Sequence, residues 1–181
     1  MVHNKIDHRF VNPELEWDQK ENYQPCIKLS FFFKKLPNVD DDHFQMHYNH
    51  VHSDLTVASK GFNVYKIQRY VQVRRAHPHS TTDAFTHVSQ TYQDPEMKKK
   101  VESLGMELLD FDACSTIWVK SWDDWEKFSS SPEYAKALMP DADHFMDYKT
   151  SGIKVFAGHD LIVFGKAIPD CDATDGITRR D

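Results

Sequence analysis

Between positions 43 and 52 the chain reads HFQMHYNHVH, four histidines in ten residues, directly after three aspartates at 40–42. Imidazole titrates near neutral pH, so a cluster of this kind suits acid–base work, metal ligation or a plain polar helix face. Binding a metal from one helix face asks for ligands three or four residues apart. His43 and His47, and His47 and His50, meet that spacing. A catalytic zinc or iron takes a third ligand and an open position, and neither an HExxH motif nor a facing carboxylate pair occurs. The expectation is a site with no metal and no cofactor.

At about 100° per residue, Phe44, Tyr48, Val51 and Leu55 form one apolar stripe that must face the core. His47 falls about 60° to one side of it and His52 about 80° to the other. His43, His50 and Asp54 lie further round, towards solvent. Acid–base chemistry in a buried pocket is therefore expected of His47 and His52, and a solvated face of His43 and His50.

Positioning these residues falls to the elements around them. The stretch IKLSFFFKKL (27–36) alternates as a strand, and residues 41–59 form a helix with Asp42 and Gln45 as a capping box. A second strand follows at 63–75, then a weakly patterned excursion at 76–108 holding one short helix. Residues 114–122 read as a third strand and 121–138 as a helix restarted at Ser131-Pro132. The turn DADHFMD leads into a last strand or hairpin at 153–165. This β-α-β, insertion, β-α-β order is the ferredoxin-like split βαβ repeat, an α+β fold with helices on one face of an antiparallel sheet. The other face needs cover, which predicts a homodimer closing into a dimeric α+β barrel. The domain runs over 27–167, with an N-terminal arm at 1–26 and a flexible C-terminal tail at 168–181.

Composition narrows the class. Hydrophobic residues make up 40% of the 181, aromatic residues 13%, and the net charge is −6. That is ample for a core and argues against nucleic acid or an anionic membrane as partner. Cys26, Cys114 and Cys171 are scattered, as suits a reducing compartment. No apolar run approaches about 18 residues, and the N-terminus lacks an apolar signal core, so a soluble, cytoplasmic protein is expected.

The segments FQMHYNHVHSDL, IQRYVQ, STIWVKSWDDWEKFSSSPEYAKAL and DADHFMD together resemble the EthD-domain family of dimeric α+β barrels, over about residues 27–165. Within it the chain is most similar to the fungal branch of aromatic-polyketide tailoring proteins, of the atrochrysone carboxylic acid decarboxylase type. The resemblance implies cofactor-free decarboxylation of an aromatic polyketide carboxylic acid. Relatives sharing the fold include cyclases, dehydratases and cofactor-free monooxygenases. It supports a pocket role for His52 and adds His144, where the family's chain turns over the pocket mouth. In this reading His52 donates a proton, His47 or His144 holds the carboxylate or a ring hydroxyl, and Tyr70 orients the substrate. Phe32, Trp118 and Tyr48 join Tyr70 as flat substrate-binding walls. Trp122 and Trp125 read as packing residues. A reading from another class is a non-catalytic dimer carrying a hydrophobic metabolite or a heme.

Overall fold

The computed structural model describes residues 8–74 and 95–178. The larger part of the 76–108 excursion lies outside them; its expected short helix is α4 (Pro95–Ser103). Four strands, β1 (Ile27–Phe33), β2 (Arg69–Arg74), β3 (Ala113–Val119) and β4 (Lys154–Gly158), form one antiparallel sheet in the order β2-β3-β1-β4. The first β-to-β crossover carries α1 (Asp41–Met46), a wide π-helical turn (His47–His52), α2 (Ser53–Ala58) and α3 (Lys60–Val64). The second carries α5 (Trp122–Ser129), another π-helical segment (Tyr134–Leu138) and α6 (Met139–Ala142). With β1 and β3 central and antiparallel, this is the ferredoxin-like arrangement.

Strand alternation sorts the side chains onto two faces. Register sets Leu29 and Tyr70 on either side of Ile117, so Leu29, Phe31, Phe33, Ser115, Ile117 and Tyr70 share the helix-covered face. Leu29, Ile117, Val119, Phe128 and Leu138 make one buried cluster there. Phe33, Phe44, Tyr48, Ala113 and Phe145 make a second, under the histidine-bearing helix. Among the described residues no helix is long and apolar enough to cross a membrane.

Three expectations change. The helix is capped by Asp40 rather than Asp42, because the Asp40 carboxylate accepts from the His43 N–H at 2.7 Å. The second strand starts at Arg69, not at residue 63. Ser59 caps α3 over 60–64, and Lys66 adopts a left-handed φ of 49° that ends the helical run first. The C-terminal stretch, as far as residue 178, is tied down rather than loose. Gln24 Oε1 accepts from the Ile168 N–H at 3.0 Å, the Asn22 amide donates to the Thr174 carbonyl at 3.0 Å, and Phe164 bridges Ile177. Arm and tail thus satisfy each other's polar groups, which a local reading of either cannot reveal.

Candidate active site

The wide turn at His47–His52 sets the geometry. In a regular α-helix, residues five apart differ by about 140° in direction. The i→i+5 pattern turns them onto one side, so His47 and His52 reach the same partner. The inward positions become Phe44, Tyr48, His52 and Thr56, four apart, while Val51 is turned out and 44% exposed. The Tyr48 carbonyl inside the turn accepts from the Gln72 amide at 3.0 Å, and Ser53 Oγ lies 3.2 Å from it. Strand β2 therefore braces the turn.

That shared partner is Asp141, on α6 and only 7% exposed. His47 Nε2–H donates to Oδ1 at 2.7 Å, and His52 Nδ1–H donates to Oδ2 at 2.8 Å. Burial alone would raise the Asp141 carboxyl, but the hydrogen bonds and charge of His52 and His47 outweigh it and hold the group below its ordinary value. An ionised carboxylate only accepts, so it fixes which ring nitrogen of each histidine carries hydrogen. Phe145 packs against both imidazoles, its ring centre 5.2 Å from His47 and 5.1 Å from His52. The chain just after α6 is pinned to the end of β1 by Leu36 N–H donating to the Phe145 carbonyl and Asp147 N–H to that of Lys34, both at 2.9 Å. Sheet and both crossovers thus converge on one carboxylate.

With Nδ1 engaged, His52 keeps Nε2, and its side chain lines a cavity of about 130 Å³ between the sheet and the helices. Phe31, Phe33, Trp125 and Phe128 give it flat apolar walls, and Tyr70 and Ser115 a polar edge. None of its described lining residues is a lysine, arginine or carboxylate. Burial raises the Tyr70 phenol, with neighbouring Ser115, Gln72 and Thr56 partly offsetting it, so Tyr70 stays a neutral hydroxyl.

The expected site residues divide accordingly. His52 and Tyr70 line the cavity, and His47 stands behind Asp141. Tyr48 is fully buried, its hydroxyl 2.8 Å from Ser115 Oγ. His144 is exposed and outside the cavity lining, its ring centre 6.4 Å from that of His47; His43 and His50 are exposed too. Phe32 and Trp118 are on the opposite face of the sheet, because the register aligns Phe32 with Cys114 and Trp118 with Lys28 and Arg69. There Trp118 Nε1–H donates to Asp160 at 2.7 Å, with Lys28 and Arg69 each 5.2 Å from its ring. Trp125, expected only to pack, is a cavity wall.

Asp141 and Gln72 were not expected at all. For Asp141 a signal exists: it falls with Leu138 and Phe145 on one i, i+3, i+7 stripe, a lone acid among buried apolar neighbours. Both carboxylate oxygens are occupied by imidazole N–H groups, and among the described residues no group of three or more potential ligands is arranged to hold a metal ion.

The EthD domain family matches residues 36–149, a span that holds the wide turn, both histidines and Asp141. The chain belongs to the EthD domain family. Similar solved structures include an ethyl tert-butyl ether D (EthD) family protein from Bacillus halodurans at 16% identity, TM-score 0.42, covering 75% of this chain and 99% of that one. A dimeric protein of ferredoxin-like fold from Bacteroides fragilis has 11% identity and TM-score 0.44, covering 77% and 99%. A DABB family protein with a ferredoxin-like fold from Mesorhizobium loti has 7% identity and TM-score 0.42, covering 75% and 95%. No curated protein matches the chain.

Proposed function

We propose that this EthD-family protein is a cofactor-independent decarboxylase of an aromatic polyketide carboxylic acid, acting in fungal-type secondary metabolism, with His52 as the proton donor. The observation that carries this reading is the orientation of His52. Buried Asp141 holds its Nδ1–H, which leaves Nε2 on a side chain that lines an aromatic cavity with no lysine or arginine among the described lining residues. A substrate carboxylate entering such walls sheds water and finds no lysine or arginine to pair with. Breaking its bond to the adjacent carbon releases CO₂ and moves the electron pair towards the neighbouring carbonyl or ring. There, doubly protonated His52 gives up the Nε2 proton. His47, outside the cavity lining, is a positioning residue that holds Asp141 from behind. The cavity of about 130 Å³ is comparable to one that accepts a single benzene ring. A fused polycycle would insert its terminal ring and extend past Met139 and Ile153, which line the cavity and are 42% and 41% exposed.

A second reading follows from the same pair. With Asp141 behind it, neutral His52 is also placed to act as a base, as aldol cyclisation, dehydration or oxygenation of a related substrate would need. Carbon dioxide release from a panel of aromatic β-keto and hydroxy acids separates the two. Release that drops about 10²–10⁴-fold in His52→Ala supports decarboxylation. A product differing from substrate by water or oxygen, without CO₂, replaces it with the base reading.

A further inference from the structure

The polar edge of the cavity has a direction, and one glutamine sets it. Gln72 makes hydrogen bonds at both ends of its amide. Ser53 Oγ donates to Oε1 at 2.8 Å, while Nε2 donates to the Tyr48 carbonyl at 3.0 Å and to the Tyr70 hydroxyl oxygen at 2.8 Å. The Tyr48 carbonyl can only accept, which fixes the nitrogen on that side. The Tyr70 oxygen therefore receives a hydrogen from Gln72, and its own O–H is left to donate elsewhere. Neighbouring hydroxyls are already engaged. Thr56 Oγ1 donates to the His52 carbonyl at 2.7 Å, and buried Tyr48 pairs with Ser115 Oγ at 2.8 Å. Ser115 and Thr56 line the cavity beside Tyr70, and an oxygen entering it is placed to take the Tyr70 hydrogen.

We infer that the ring entering this cavity carries a hydrogen-bond-accepting oxygen, a ketone or its equivalent, and that Gln72 is the positioning residue that keeps Tyr70 turned to donate to it. The inference rests on the cavity being the active site. It deepens the proposed chemistry, since a donor at the carbonyl steadies the enolate that loss of CO₂ creates. It also couples two tasks in one side chain, because the same amide braces the turn that carries His47 and His52.

The test compares acetophenone with ethylbenzene, single rings of nearly equal shape, by titration calorimetry on the intact chain. Wild-type protein is expected to favour acetophenone about three- to tenfold, the yield of one neutral hydrogen bond. Tyr70→Phe should erase the preference while keeping ethylbenzene affinity. Gln72→Glu should erase it too, because a carboxylate accepts the Tyr70 hydrogen and turns it from the ligand. If Gln72→Glu fails to fold by circular dichroism, Gln72→Met is read instead, and a reduced preference is expected. No preference in the wild type, or one that survives Tyr70→Phe, overturns the inference; an unchanged preference in the folded Gln72 variant overturns the role of Gln72. His52-dependent CO₂ release without ring preference sinks this inference alone. A Tyr70-dependent preference without His52-dependent turnover sinks the proposed function and leaves the acceptor-reading cavity standing.

Discussion

Asp141 is where the site's chemistry becomes testable in solution. Its folded carboxyl lies below the ordinary value of 3.8, because two imidazole donors outweigh burial. A depressed folded value means that the pair's contribution is present above the unfolded value and is lost as pH falls through the lower folded one. Thermal melts taken against pH should show wild-type stability falling away below about pH 4. Asp141→Asn should be destabilised by about 1–3 kcal/mol at neutral pH and show a shallower acid slope. Parallel curves below pH 4 would remove Asp141 from the account. His144→Ala, by contrast, should keep wild-type turnover, since His144 is exposed and outside the cavity lining; a loss of tenfold or more would restore it to the site. Both interior histidines were legible in the sequence because they border an apolar stripe. Their acid was not, because it lies 94 and 89 residues away along the chain and only the fold brings it near.

Among the elements, the strands were the most legible. The alternation of IKLSFFF survives as β1, paired in register with ACSTIWV of β3. Which face the helices cover was harder to read, since Phe31, Phe32 and Phe33 put a phenylalanine on both. Phe32 is the expected wall, yet Phe31 and Phe33 line the cavity instead. The wide turn was invisible because a wheel at 3.6 residues per turn assumes regularity, and one widened turn rotates everything after it. What sustains it is tertiary: the Gln72 brace from β2 and the fully buried Phe145 ring beneath both imidazoles. Removing that ring leaves a void under the turn. Phe145→Ala should cost about 3–5 kcal/mol in chemical unfolding. It should also lower turnover in whatever fraction stays folded, because His47 and His52 lose the surface that aligns them. Full activity in folded Phe145→Ala would show that Asp141 alone sets the ring orientation.

At the scale of the molecule, the order of elements was enough to anticipate the ferredoxin-like sheet, because two split βαβ units in one chain leave few other topologies. The binding of tail to arm was not legible, being made of polar contacts between segments about 150 residues apart. Those segments also shape the sheet face away from the helices. Around Trp118, the arm-end Cys26 and the tail residues Ile168 and Cys171 pack into one cluster. Elsewhere on that face apolar side chains stay open, Phe156 at 63% and Val73 at 53% exposure, with half-buried Phe32 between their strands. An open sheet face of this kind is the surface on which we expect two copies to pair. In a two-fold dimer each substitution acts twice. Burying one phenylalanine is worth about 1.5–3 kcal/mol, so Phe156→Asp should weaken pairing by about 100-fold or more. Light scattering should then read a dimer for the wild type and a monomer for the variant at the same micromolar concentration, with circular dichroism unchanged. Because the cavity is on the other side of the sheet, the monomeric variant should still bind acetophenone. A wild-type monomer, or a dimer indifferent to Phe156→Asp, would place the partner surface elsewhere.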